Sequence, residues 1–302
     1  MLLANIDLFI KIVESGSLTA AGREVGLSST TVSERLAALE AHYGVVLLNR
    51  TTRAISLTEE GRTLLEGAKE VLDGVVDLET RIRFGAQTLT GPIRISAPSD
   101  LGRTLVCDAI QIFLEDHPKI RIELLLSDGY VDIVGEGIDI AMRFGAIEDS
   151  TLRVKSLGVK RRVVCAAPSY VDALGTPKVP ADLKNHNCLL MRFGHKLDNS
   201  WRFGSGVSKQ VVTVSGDRVA NDGALVHQWC LAGFGIMLKS ELDIGADIRA
   251  GRLIELLPDF ASPAVPLQIM FPPARAQPRR VRAFADYLIE TFERVGGLTE
   301  QT

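Results

Sequence analysis

Cysteine is scarce and scattered in this chain. Cys107, Cys165, Cys188 and Cys230 are the only four in 302 residues, and no two of them form a CxxC pair. That spacing fits neither a zinc pattern nor a disulfide framework. Reduced thiols are the plain expectation. A thiol-based sensor is the rival, resting on Cys165, the one cysteine with basic neighbours (Arg161 and Arg162) to lower its pKa. No run of 18 apolar residues occurs, which excludes a membrane-spanning helix. The first apolar pattern is broken by Asp7, Lys11 and Glu14, so it does not read as a signal peptide, and a cytoplasmic location is expected. Excess positive charge is missing as well, the net charge being −3. Also absent are a GxSxG elbow, a phosphate-binding P-loop, a dinucleotide glycine fingerprint and any metal-ligand spacing. No enzyme, no cofactor and no metal are expected. A catalytic dyad hidden in a cleft is the weaker alternative.

What is present is a long, ordinary globular composition, 46% hydrophobic and 24% charged. Two or three units are expected from such a length. Ile6, Phe9, Ile10 and Val13 recur at helical spacing and predict a first helix that stops at Gly16. Ser17 is placed to cap a second helix, with Leu18, Ala21 and Val25 inward and Gly26 closing it. Ser28 is placed to cap a third, whose inner stripe is Val32, Leu36 and Leu39 and whose other face carries Ser29, Thr30, Ser33 and Glu34. Two short strands, 46–48 and 55–57, then flank a polar, basic tip at Arg50-Thr51-Thr52-Arg53.

This is the shape of a winged helix-turn-helix. A helix entering the major groove needs short polar side chains at its start, so that the backbone can approach bases and phosphates. Ser29, Thr30, Thr31 and Ser33 meet that need, while Arg35 and Arg53 can reach phosphate or the minor groove. The bland alternative is a three-helix bundle with a solvated polar face. Residues 1–60 carry five basic side chains against seven acidic ones, so any DNA binding must pool contacts from more than one copy.

Thr58-Glu59-Glu60 is a strong helix start. Leu64, Leu65, Ala68, Val71, Leu72, Val75, Leu78 and Ile82 then form one apolar stripe to about residue 84. A helix of about 40 Å with one apolar side predicts pairing with a second copy. Packing on its own domain is the alternative. After Gly91-Pro92 the pattern changes to alternating strands and helices, which implies α/β sheets with parallel pairs. Strands are expected at 93–97, 120–126, 138–142, from 163, near 211–215 and 236–238, and at 267–271. Helices are expected at 101–116, 130–136, about 222–232, and 279–294.

In this half the loop Ala97-Pro98-Ser99-Asp100-Leu101-Gly102-Arg103 joins a strand end to a helix start, where α/β folds bind anions. Free N–H groups and the Ser99 hydroxyl can hold a carboxylate there, or Ser99 and Asp100 merely cap the helix. Asp100 repels an anion unless Arg103 or Arg143 offsets it. Other strand-end candidates are Asp128, Arg143 with Phe144, Arg192, Trp201 with Phe203, and Asn221. Arginines beside aromatics can pair with and stack on a small acid. Each of these also reads singly as core or surface. Asp222 reads as a cap and His227 as a structural histidine.

The chain resembles the LysR-type transcriptional regulators. The likeness is carried by Phe9-x-x-x-Val13-Glu14-Ser15-Gly16-Ser17-Leu18-Thr19-Ala20-Ala21, by the run from Leu27 to Glu40, and by Gly44-Val45-x-Leu47-Leu48-x-Arg50-Thr51-Thr52-Arg53. It continues through Leu57-Thr58-Glu59-Glu60-Gly61, Asp132-x-x-x-Glu136-Gly137-Ile138-Asp139 and Ala232-Gly233-Phe234-Gly235-Ile236. The contexts of Thr51-Thr52-Arg53 and Ser127-Asp128 most resemble the branch that senses small organic acids. The resemblance implies an α+β multi-domain chain. Its parts would be a winged helix-turn-helix at 1–58, a dimerising linker helix at 59–88, and a two-lobed effector domain at 92–302 that is similar to a periplasmic binding protein. Lobe I would take about 92–162 and 267–302, and lobe II about 163–266.

A sequence-specific regulator modulated by a small carboxylate between the lobes is therefore expected. Its partners would be a double-stranded DNA operator, other copies in a dimer of dimers, and RNA polymerase if it activates. Ser17, Ser28, Ser29, Thr30, Thr31, Ser33, Glu34, Arg35, Arg50 and Arg53 are the expected DNA-facing residues. The family often has glutamine at the position of Ser29 and a basic residue at that of Glu34, so operator preference should differ here. A solute-binding protein is a rival that leaves residues 1–88 unexplained.

Overall fold

A computed structural model describes residues 2–50, 55–85, 88–145, 151–204, 209–273 and 277–296. Its contacts divide the chain into two units, 1–91 with 274–283, and 92–273 with 284–302.

The first unit opens with α1 (Leu2–Ser15), α2 (Leu18–Glu24) and α3 (Ser29–Tyr43). The caps fall where the small hydroxyl residues stand. Ser17 accepts the Ala20 N–H and Ser28 accepts the Thr31 N–H at 3.1 Å. Gly44 ends α3 in the left-handed conformation. Phe9, Ile12, Ala21, Val32, Leu36 and Leu39 bury the inner faces. The turn between α2 and α3 depends on Gly22, where a Cβ would lie 2.7 Å from the Leu27 carbonyl oxygen and 3.1 Å from Val32. Strands β1 (Leu48–Arg50) and β2 (Ile55–Leu57) pair antiparallel. The Glu40 carboxylate accepts the Leu47 N–H at 2.9 Å and so ties the wing to α3.

Helix α4 (Glu59–Phe84) divides its apolar stripe between the two expected uses. Leu65 and Ala68, with Leu64 and Leu72 beside them, pack into the core of α1–α3. Val71, Leu78 and Ile82 are left 52%, 55% and 75% exposed. Lys69 pairs with Glu14 on α1 at 3.2 Å. Farther along the helix, Asp73 and Asp77 meet Arg280 and Arg279.

The second unit runs β3 (Gly91–Ala97), then one continuous helical stretch made of α5 (Ser99–Leu101), a π turn (Gly102–Val106) and α6 (Cys107–Asp116). There follow β4 (Ile120–Leu126), β5 (Ile140–Phe144), β6 (Arg153–Ala166), α7 (Pro168–Leu174), β7 (Leu190–Phe193), β8 (Lys196–Asp198) and β9 (Ser200–Phe203). The chain continues with β10 (Gln210–Thr213), β11 (Val219–Ala220), α8 (Gly223–Leu231), β12 (Met237–Ser240), α9 (Glu241–Arg249), β13 (Ile254–Leu256), β14 (Ser262–Phe271) and α10 (Arg279–Gly296).

The main sheet has the order β12-β6-β14-β5-β3-β4, with β13 also on β6. Strand β3 is parallel to β5, and β7 to β11, as strand–helix alternation predicts. β14 is antiparallel to both β5 and β6, so the sheet is mixed. The second strand series begins at Arg153, earlier than its apolar end at Val163 implied. The leading half of β6 is largely exposed, and its apolar residues Val154, Leu157 and Val159 do not alternate strictly with polar ones. Residues 130–136 form turns, not the expected helix. Asp132 accepts the Gly135 N–H through its side chain at 2.9 Å, which favours a turn over a helix at that point.

Candidate functional site

Two surfaces gather the chemistry, one in each unit. In the first, α3 presents Ser29, Thr30 and Glu34 exposed, with Ser33 and Arg35 half-buried beside them. Ser17 and Ser28 are caps, and the Ser28 hydroxyl also shares a hydrogen bond with Thr31 at 2.9 Å. Of the expected DNA-facing side chains on α3, Ser29, Thr30, Ser33 and Glu34 are not used in capping. Arg53 and the Arg50 side chain lie outside the described residues.

In the second unit a cleft of about 610 Å³ opens between the two lobes. Ser99, Leu126, Ser127, Asp128 and Tyr130 line it from one lobe, and Arg192, Val219, Asn221 and Asp222 from the other. Ser99, Asp128, Arg192 and Asn221 were the candidates that meet here. The Arg192 side chain is exposed, and among the described residues it has no ion-pair partner. Asp222 caps α8, accepting the Ala224 and Leu225 N–H groups at 2.8 and 3.1 Å. Arg103 reaches Asp222 at 3.6 Å and does not itself line the cleft.

The expectation of a free carboxylate cradle at Ser99 needs correction. The Ser99 N–H already donates to Asp128 Oδ1 at 3.2 Å. The other oxygen of that carboxylate, Oδ2, accepts the Gly223 N–H at the start of α8 at 2.7 Å. Asp128 thus joins the starts of two helices, one from each lobe.

Beneath the cleft, Asp100 points away from it into a buried polar cluster. Lys239 Nζ lies 2.6 Å from Asp100, and His227 stands between Asp100 at 3.4 Å and Asp247 at 3.0 Å. Neither Arg103 nor Arg143 offsets the Asp100 charge; Lys239 does, and His227 stands beside it within hydrogen-bond reach. Burial favours a neutral Asp100, yet the His227 hydrogen bond and the Lys239 charge hold its carboxyl below the ordinary value. Burial opposes the charge on Lys239 too, and Asp243 and Asp100 together lift it above the usual lysine range. Asp243 is pushed up to about 6 by burial. Lys239 stands near the end of β12, while Asp243 and Asp247 lie one helical turn apart on α9 and reach Lys239 and His227. That one-turn spacing, a readable sign of a polar stripe facing inward, was missed in sequence.

The remaining candidates stay out of the cleft. Arg143 donates to the Ser96 hydroxyl at 2.7 Å and to the Met142 carbonyl, which fixes it against the sheet. Phe144 ends β5 half-buried. Trp201 and Phe203 are 2% and 1% exposed within the hydrophobic core of the second lobe, and Trp201 Nε1 donates to the Asp198 carbonyl. Alternation along β9 sends both rings to the same buried face. The rival reading of Cys165 as a thiol sensor loses its support. A hydrogen bond with Cys230 and complete burial push its pKa well up. Arg161 is paired with Glu241 and Glu255, and Arg162 with Asp198.

Comparison with known proteins places both surfaces. Residues 3–62 match the bacterial regulatory helix-turn-helix of the lysR family, and residues 86–293 match the LysR substrate binding domain. The chain is 31% identical to the HTH-type transcriptional activator AaeR of Escherichia coli (strain K12) over 301 residues, 99% of this chain and 96% of that one. It is 32% identical to the HTH-type transcriptional regulator DmlR of the same organism, covering 87% of this chain and 86% of that one. Its fold is similar to that of CrgA, a LysR-type transcriptional regulator from Neisseria meningitidis, with a TM-score of 0.63 at 31% identity, covering 96% of this chain and 98% of that chain. One family model falls on the helix-turn-helix and the other on the two-lobed half, and the chain therefore belongs to the LysR-type transcriptional regulators.

Proposed function

We propose that the interlobe cleft binds a small carboxylate effector, and that its occupation changes how the paired helix-turn-helix heads hold operator DNA. The observation that carries this reading is the convergence of Arg192, Asn221, Ser99 and Tyr130 on one cleft of about 610 Å³, a size suited to a metabolite. An arginine without a carboxylate partner supplies the charge that a small acid needs. The effector acts to the extent that it binds one arrangement of the lobes better than another. The exposed outer face of α4 favours pairing of two chains, and two such pairs would make a dimer of dimers. Activation would add a contact with RNA polymerase.

A thermal-shift screen of small carboxylates on the full chain tests the cleft. A hit should raise the melting temperature in proportion to its occupancy, and Arg192→Ala should remove the shift while leaving ligand-free DNA binding in place. The same hit should alter a footprint on operator DNA. A footprint and affinity unchanged at saturation would refute the coupling.

A further inference from the structure

The cleft contains an anion already, and it belongs to the chain. Asp128 follows directly on β4, at the end of the sheet. One oxygen takes the Ser99 N–H, at the start of the helical stretch 99–116, and the other takes the Gly223 N–H, at the start of α8. Those amides belong to opposite walls of the cleft. Both helix starts carry partial positive charge. Lys239, from β12, reaches the same place. A Cβ at position 223 would lie 2.5 Å from Lys239 Nζ and 3.4 Å from Asp128 Oδ2, so a side chain there would have to move the Lys239 ammonium. Arg192, on the opposite lobe, is the cation among the residues that line the cleft, and no ion pair joins it to another described residue.

We propose that Asp128 is the resident anion of the cleft: it latches the two lobes through their helix starts, bars a ligand carboxylate from that position, and selects an effector that presents a hydroxyl or ammonium donor to it while giving its own carboxylate to Arg192. The physical reason is like-charge exclusion. A second carboxylate beside Asp128 and Asp222 would meet two negative charges and two N–H donors already in use. A hydroxyl or ammonium meets an acceptor with lone pairs to share. The selection rests on the cleft being the effector site; the latch does not.

Calorimetric titration of the full chain separates the two. The probes are inorganic sulfate, succinate, and the 2-hydroxy and 2-amino derivatives of succinate. The wild type should bind sulfate and succinate at least about tenfold more weakly than the better derivative, the size of one charge-assisted hydrogen bond. Asp128→Ser empties the position and should gain sulfate affinity by about tenfold or more. Asp128→Asn, close to isosteric, removes the charge without leaving a cavity and should gain in the same direction. Equal sulfate binding by wild type and both variants overturns the latch. Succinate binding the wild type as tightly as its derivatives overturns the selection. If no carboxylate binds the wild type while both variants gain sulfate, the carboxylate effector is refuted and the latch stands.

Discussion

Single residues decide how this domain tolerates charge. Asp243 is the sharpest case, with a side chain 5% exposed and a carboxyl pushed by burial from an ordinary 3.8 to about 6. A folded-state pKa above the unfolded value means that the folded chain holds the proton longer. Stability from this group is therefore fully present below about pH 4 and is lost as the pH rises through about 6. Asp243→Asn, which carries no charge to bury, should be more stable than wild type at pH 7.5, by about 1–3 kcal/mol. The difference should vanish toward pH 4.5. Urea denaturation at the two pH values measures it, and a variant less stable at pH 7.5 would show that the Lys239 pairing outweighs burial. At this scale Ser17 and Ser28 were legible as caps because a cap is a local event. Trp201 and Phe203 were misread because the neighbouring arginines say nothing about which face of β9 is buried.

At the scale of elements, α3 is the helix whose exposed polar start is proposed to face DNA. Glu34 is exposed near its start, where a phosphate-facing helix ordinarily avoids negative charge. Glu34→Lys should tighten binding to operator and to unrelated DNA alike. It should also steepen the dependence of log affinity on log salt by about one unit per head. Fluorescence anisotropy across a salt series reads both, and an unchanged slope would turn this face away from the phosphates. The helices of the first unit were readable because periodicity and caps agree over whole turns. The 130–136 segment had the apolar spacing of a helix but not the chemistry, since Asp132 competes for a backbone donor that a helix would use. β6 was half-hidden because its exposed leading half lacks the alternation that marks a strand with one buried face.

The whole molecule has a net charge of −3, so a single head is a weak ligand for a polyanion. The proposed pairing through α4 would resolve that by summing contacts. Leu78→Glu with Ile82→Glu changes two side chains that are 55% and 75% exposed, so the fold should survive. Sedimentation should then show a shift toward monomer at micromolar concentration, with operator affinity falling by at least about tenfold. An unaltered mass would assign the pairing to another surface.

Sequence alone determined the order of the parts: a capped helix-turn-helix, a long amphipathic helix and a strand–helix series, each written in periods of a few residues. It also holds no CxxC pair, no GxSxG elbow and no P-loop. Tertiary structure alone decided what fills the cleft. Asp128, Ser99 and Gly223 are far apart in the chain, and Lys239 finds Asp100 only across a folded core. Hydrogen bonds and buried charges act over about 3 Å of space whatever the distance along the chain, so which anion sits between two helix starts was a question only the fold could answer.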